Sequence, residues 1–222
     1  MNKSVNLVTL YKQSRINMFI TFEGIDYSGK TTHAKALVDF LKEQNWGVLF
    51  LREPGGTSIS EKIRNILLDK VNLGMTQVAE LLLFSSARAQ LVREVIIPAL
   101  KKNIIVICDR FTDSTVAYQG YGRGIELEDV HRVNNLATGG LIPDLTFFVD
   151  ITIDEIYKRQ AAAGVEVDRM ESSGREFFEK ARDGYWKIAQ EAPDRFVVVN
   201  GTRPIDVIQN EIRDIIMKRI IN

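Results

Sequence analysis

Gly24-Ile25-Asp26-Tyr27-Ser28-Gly29-Lys30-Thr31 matches the pattern G-x-x-x-x-G-K-[ST] at every fixed position. The flanks carry equal weight. Met18-Phe19-Ile20-Thr21-Phe22 ahead of it is a short apolar, β-prone run, and Ala34, Leu37, Val38 and Leu41 behind it recur at helical spacing. A strand, a glycine-rich turn and a helix N-terminus together make a phosphate cradle. Glycines let backbone N–H groups converge on an anion, and the helix end adds a positive partial charge. In such a cradle Lys30 reaches the terminal phosphates of a nucleoside triphosphate and the Thr31 hydroxyl ligates Mg²⁺. Gly24, Ile25, Asp26, Tyr27, Ser28, Gly29, Lys30, Thr31 and Thr32 are therefore the residues expected around that nucleotide.

Outward from the loop, strand and helix signals alternate along the chain. This predicts an α/β fold with a five-stranded parallel sheet flanked by helices, the P-loop NTPase arrangement. The candidate strands are Phe19–Glu23, Val48–Arg52, 104–108, Leu145–Asp150 and 195–199, all apolar enough to be buried on both faces. Helical patterns fall near 31–45, 58–70, 76–101, 126–137, 153–163, 174–191 and 204–220. The stretches 52–58 and 109–124 read as irregular, the second because of Gly120, Gly122 and Gly124, and the polar stretch 161–174 reads as a mobile lid. Ligands of open α/β sheets sit beyond the C-terminal strand ends, so the loops at 24–31, 52–54 and 109–110 should meet at one edge.

The bulk properties narrow the class. The 222 residues suit a single domain over 18–222, and 29 basic residues balance 29 acidic ones, which argues against nucleic acid as a partner. No stretch approaches the roughly 20 apolar residues of a membrane span. The one cysteine, Cys108, lies in an apolar run as a small core residue and suits a reducing cytoplasm. Residues 1–17 carry Lys3, Lys12 and Arg15 and no acid, so they read as a disordered arm, with a transit peptide or a true start at Met18 as the alternatives.

A second constellation follows the third candidate strand. Its apolar run leads straight into Asp109, the pattern of a Mg²⁺-directing carboxylate facing the phosphate loop. Arg110 comes next, and Arg52 ends the preceding strand. Two guanidiniums beside Lys30 point to a second anion in addition to the nucleotide. Glu53–Pro54, directly after Arg52, is a candidate cis peptide. Phe84 and Arg88 lie one helical turn apart and suit either a base pocket or, on spacing alone, a core phenylalanine with a solvated arginine.

Several segments together resemble the bacterial thymidylate kinases, a family of P-loop nucleoside-monophosphate kinases. They are Phe22-Glu23-Gly24-Ile25-Asp26 leading into Ser28-Gly29-Lys30-Thr31-Thr32, Arg52-Glu53-Pro54-Gly55-Gly56-Thr57, Leu83-Phe84-Ser85 with Ala87-Arg88-Ala89-Gln90, and Asp109-Arg110-Phe111 through Ser114. Ala117-Tyr118-Gln119-Gly120, Gly122-Arg123-Gly124 and Pro143-Asp144-Leu145-Thr146 complete the set, which covers roughly 18–215. The resemblance implies transfer of the γ-phosphoryl of ATP to dTMP, giving dTDP and ADP for dTTP synthesis. It also implies Mg²⁺ and a homodimer formed through the helices near 58–70 and 76–100.

Residue by residue, the resemblance makes Lys30, Arg110 and Asp26 catalytic, with Asp26 near the substrate sugar and phosphate. It makes Arg52 and Arg110 the clamp on the dTMP phosphate, Phe84 the ring that stacks on thymine and Arg88 the donor to the base edge. Ser114, Thr115 and Gln119 become further base or sugar contacts, Tyr118 the aromatic that crowds a ribose 2′-OH, and Arg159 the arginine packed on adenine. Members carry a catalytic arginine in the loop or in the lid. Tyr27 excludes the loop here, which leaves Arg169 to bridge the transferring phosphoryl, with Arg175 and Arg182 as substitutes. The rival readings are a kinase for another monophosphate and a GTPase-type switch, and the chain lacks the Asn-Lys-x-Asp stretch by which such switches read guanine.

Overall fold

Five apolar runs pair into one parallel sheet in the order β2-β3-β1-β4-β5: β1 (Phe19–Glu23), β2 (Val48–Arg52), β3 (Ile105–Asp109), β4 (Leu145–Asp150) and β5 (Phe196–Asn200). The computed structural model describes residues 17–164 and 166–221, so the expectations for an N-terminal arm fall almost wholly outside it. β3 and β5 each begin one residue later than the apolar pattern predicts.

The central strands β1, β3 and β4 are buried on both faces, whereas β2 and β5, at the sheet edges, are only partly covered, unlike the burial their apolar runs predict. The pleat divides the side chains between two helical layers. Ile20, Phe22, Ile105, Ile107, Leu145 and Phe147 pack against α1 (Lys30–Glu43) and α9 (Ile205–Ile221), meeting Leu37, Leu41, Ile208 and Ile212. On the other face Phe19, Val106 and Cys108 meet Leu91, Val92 and Ile96 around α3 (Gln77–Leu91), while Phe148 meets Tyr185 of α8 (Arg175–Glu191). Each fully buried Leu, Ile or Phe contributes on the order of 2 kcal/mol, so the two layers hold the sheet edge rigid. α2 (Ser58–Leu68) lies alongside α3.

The long helix expected over 76–101 forms, with helical backbone from Gln77 to Lys101, but its hydrogen-bond register changes part-way. α3 ends at Leu91, a π-turn runs over Val92–Ile96, and α4 (Ile97–Lys101) follows. Pro98 explains the change, because it has no N–H to give the carbonyl one turn back and the ladder shifts register there. The stretch 109–124 is not irregular as its glycines suggest. It forms α5 (Thr112–Thr115), continued as π-turns over Val116–Gly122, and leads to α6 (Leu127–Thr138). Its glycines serve close packing: a Cβ on Gly122 would stand 2.7 Å from the Phe177 ring. α7 (Ile153–Ala163) takes in the first three residues of the expected lid, and Gly164 in the left-handed conformation ends it. Of the remaining lid, 166–174 form a loop with one 3-10 turn at Glu171–Ser173, leading into α8.

The register sets up the site. Phe22 pairs with Asp109, and Asp109 with Arg52, so β1, β3 and β2 end level and their loops meet at one edge. Directly after β1, Gly24 takes φ 140°, and a Cβ there would stand 2.4 Å from the Val149 carbonyl oxygen. Only glycine lets the loop pass so close to β4.

Candidate active site

Two cavities meet at this edge. The first, about 430 Å³, runs along the phosphate loop from Tyr27 to His33 and is closed by Arg159, Gly201, Arg203 and Ile205. Lys30 starts α1, and its ammonium donates to the Ile25 carbonyl across the loop at 3.0 Å. Burial, with Arg110 close by, outweighs the attraction of Asp26 and Asp109 and lowers Lys30 to about 8. The Thr31 hydroxyl donates to Asp109, so the loop and β3 are joined where a cation would sit. A hydroxyl and a carboxylate facing phosphate oxygens form an all-oxygen donor set, which fits Mg²⁺. Arg159 places its donors on Glu155 and on the carbonyls of Tyr27, Ser28 and Gly201. Its flat face is what remains for a ligand.

The second cavity, about 110 Å³, lies across the loop from the first. Asp26, Arg64, Phe84, Arg88, Arg110, Ser114, Thr115, Tyr118 and Gln119 line it, together with Glu53, Leu68 and the lid residues Asp168 and Met170. Arg110 adopts φ 71°, an uncommon conformation for a side-chain-bearing residue and one found where geometry is functional. Its guanidinium bonds Asp26 at 2.6 Å, the Tyr118 hydroxyl at 3.1 Å and the Gly24 carbonyl at 2.9 Å, and stacks on the Tyr118 ring. Burial alone would raise the Asp26 carboxyl, but Arg110 and Lys30 outweigh it and hold it below the usual range. Asp26 therefore stays an anion that keeps both cations in place.

Behind Arg110 lies a buried relay. Ser114 donates to Glu23 at 2.6 Å, and Tyr185 donates to the same oxygen at 2.9 Å. Burial and the neighbouring Asp113 push Glu23 up to about 7. On the far wall Arg88 is only 2% exposed, which removes the solvated-arginine reading. It bonds Glu53 at 2.7 Å, Thr115, Asn134 and the Phe111 carbonyl, leaving one guanidinium N–H unassigned. Phe84 stands beside it. An aromatic face next to a rigid donor is the equipment for holding a flat, hydrogen-bonding ring.

The thymidylate kinase family model matches residues 22–212. The chain belongs to the thymidylate kinase family. It is 47% identical over 200 residues to the thymidylate kinase of Thermoanaerobacter sp. strain X514, covering 90% of this chain and 97% of that one. With the thymidylate kinase of Caldanaerobacter subterraneus subsp. tengcongensis it shares 50% over 187 residues, 84% of this chain and 88% of the other. Its fold superposes on the crystal structure of thymidylate kinase from Ehrlichia chaffeensis with a TM-score of 0.73 at 37% identity, covering 90% of this chain and 98% of that one.

Two arginines stand apart from where family resemblance puts them. Arg52 does not line the second cavity. It bonds the Pro54 carbonyl at 2.7 Å and Glu61 at 2.9 Å, because Glu61 is itself fixed by the Gly56 N–H and draws the guanidinium toward α2. Arg64 takes the place at the cavity, with Arg52 and Arg110 close enough to depress it further after burial. The sequence signal for Arg64 is its place on the stripe Ser60, Arg64, Leu67, Leu68, where an arginine interrupts an inward-facing helix surface. Arg169 is not at the phosphate loop. It is 4% exposed and paired with Glu80 at 2.6 Å, while Arg175 pairs with Asp154 and Arg182 with Asp150. Glu53–Pro54 is cis. Glu80 and Tyr185 carry no sequence signal, and Glu23 and Glu53 stand in family segments without an assigned role, although all four are buried.

Proposed function

We propose that this protein transfers the γ-phosphoryl of ATP to the 5′-phosphate of dTMP, giving ADP and dTDP. The observation that carries the reading is the pair of cavities on either side of the Lys30, Asp26 and Arg110 cluster. One is shaped by a phosphate loop, and the other is walled by Phe84 and Arg88. A nucleoside acceptor would need a general base facing its hydroxyl. A monophosphate needs cations instead, and Arg110 and Arg64 supply them.

Phosphoryl transfer asks little covalent chemistry of the protein, so its contribution is position and charge. Lys30 and the loop N–H groups hold the donor phosphates. Arg110 and Arg64 hold the acceptor phosphate in line and offset the repulsion between the two anions. Asp26 keeps Lys30 and Arg110 at fixed separation through the charge it shares with both. Tyr118 stands beside it, its hydroxyl on Asp26 at 3.1 Å, where a ribose 2′-OH would crowd it. Mg²⁺ held by Thr31 and Asp109 would neutralise charge on the donor phosphates. The lid loop excludes water that would otherwise take the phosphoryl group.

The reading extends to assembly and place. Ile59 and Ile66 on α2 and Val78 and Leu82 on α3 are exposed, and this apolar face supports a homodimer through those helices. The single buried cysteine suits the cytoplasm. The deciding experiment follows ADP release with Mg·ATP and dTMP, dUMP, dCMP, AMP or no acceptor. Strong turnover with dTMP and weaker turnover with dUMP are expected. Turnover that ignores the acceptor overturns the reading.

A further inference from the structure

Glu80 is the most heavily bonded carboxylate among the described residues, and phosphoryl transfer makes no direct use of it. It sits on the first turn of α3, one helical turn before Phe84, and is 1% exposed. One oxygen accepts from Gln119 Nε2 at 2.9 Å and Arg123 Nε at 3.1 Å. The other accepts from Arg123 Nη2 at 3.1 Å and Arg169 Nη1 at 2.6 Å. Burial pushes the carboxyl up, but hydrogen bonds from Arg123 and Gln119, with those cations, outweigh it and keep Glu80 ionised.

Its partners come from two separate segments. Gln119 lies in the π-turned stretch and lines the acceptor cavity. Arg169 lies in the lid, between Asp168 and Met170, which both line that cavity. The lid is also tied down by the Arg169 N–H on the Leu68 carbonyl and by Arg169 Nε on the Leu67 carbonyl. Arg123 adds a bond to Ser173 at 3.0 Å. An ionised carboxylate only accepts hydrogen bonds, so the Gln119 amide must turn its NH₂ toward Glu80, which leaves its carbonyl oxygen for the cavity. Across the cavity Arg88 has one unassigned N–H. A donor and an acceptor in that order complement O4 and N3–H of thymine or uracil. Cytosine presents the reverse pattern, an amine and a bare ring nitrogen.

We propose that Glu80 is the positioning residue of the acceptor pocket: it fixes which way the Gln119 amide faces, and through Arg169 and Arg123 it fastens the lid over the bound monophosphate. This deepens the dTMP kinase reading and rests on it. It assigns Arg169 to lid closure instead of to the transferring phosphoryl.

The test compares Glu80→Gln with the unchanged protein in two assays. In steady-state kinetics, Glu80→Gln raises KM for dTMP about tenfold with kcat within about threefold, and the preference for dTMP over dCMP in kcat/KM falls at least about tenfold. In the absence of substrate, trypsin with mass-spectrometric mapping finds faster cleavage after Arg169 in the variant, because a fastened arginine is a poor trypsin site. This second readout needs no turnover, so it stands or falls apart from the dTMP reading. Arg169→Gln leaves Glu80 paired with Arg123 and Gln119 and isolates the lid if Glu80→Gln folds poorly. It raises KM for dTMP and leaves the discrimination against dCMP intact. Native KM, discrimination and trypsin protection in Glu80→Gln overturn the proposal. So does a fall in kcat at unchanged KM in Arg169→Gln.

Discussion

The two cavities on either side of the phosphate loop are built by opposite means. The donor side is built on backbone: a loop turning on Gly24 and Gly29, with carbonyls of Ile25, Tyr27, Ser28 and Gly201 holding Lys30 and Arg159, and Arg203 at the rim. The acceptor side is largely side chains holding one another: Arg88 on Glu53, Arg110 on Asp26 and Tyr118, Gln119 on Glu80. A backbone cradle tolerates change around it, because its N–H groups belong to every sequence that makes the turn. A side-chain pocket in which four of the five N–H donors of Arg88 are already taken offers a ligand few free groups, all oriented beforehand. Such preorganisation favours selectivity. On this contrast, the donor side should depend chiefly on Lys30 and the acceptor side on many charges that hold one another.

The sharpest way to break the contrast is Lys30→Ala. It removes the cation that starts α1 inside the phosphate loop, and kcat should fall on the order of 10³-fold or more. Near-native ADP release with dTMP would mean the backbone cradle suffices alone. Next comes Arg110→Lys, which keeps the charge but loses the fork that spans Asp26, Tyr118 and Gly24. A drop in kcat/KM for dTMP of about 10²-fold is expected, and a change under threefold would show that geometry is not what the acceptor side supplies.

A pair of variants then sharpens the map of the acceptor side. Arg64→Ala should raise KM for dTMP about tenfold or more, from loss of a charge-assisted contact. Arg52→Ala, half-exposed and paired with Glu61, should change KM by less than about threefold. The reverse order of effects would return the phosphate clamp to Arg52.

The smallest expected effect is one of pH. Lys30 titrates near 8 where an ordinary lysine does so above 10. Phosphate binding favours the ammonium, so above about pH 8 binding must take up a proton. ATP affinity therefore falls as pH rises from 8 to 9, by at most about tenfold. Equilibrium titration at pH 7, 8 and 9 checks it. An affinity flat across that range would show that burial does not hold Lys30 near 8.

Most of the architecture was legible in the sequence because it is written locally. Apolar runs such as 145–150 predict strands buried on both faces, and Gly24 to Thr31 predicts a loop whose requirements are all within a few residues. The errors have local physical causes too. Pro98 shifts the register of a helix that periodicity alone makes uniform, and Gly120 and Gly122 look like loop residues although they make room for Leu127 and Phe177. The place of Lys30, Thr31, Asp109 and Arg110 at the sheet edge could be read because each directly follows or belongs to an element end. Arg64 and Glu80 could not, since nothing near them in the chain says which partner faces them.

Sequence alone specifies the sheet, the phosphate loop and the edge where three loops meet, because backbone conformation and strand burial depend on neighbours along the chain. Only the tertiary structure decided which arginine faces which anion. Glu61 draws Arg52 aside, Arg64 enters the cavity, and Arg169 goes to Glu80. A guanidinium on a long side chain goes to whichever buried carboxylate or carbonyl packing brings within reach, and residues as far apart as Glu80 and Arg169 meet only when the chain is folded.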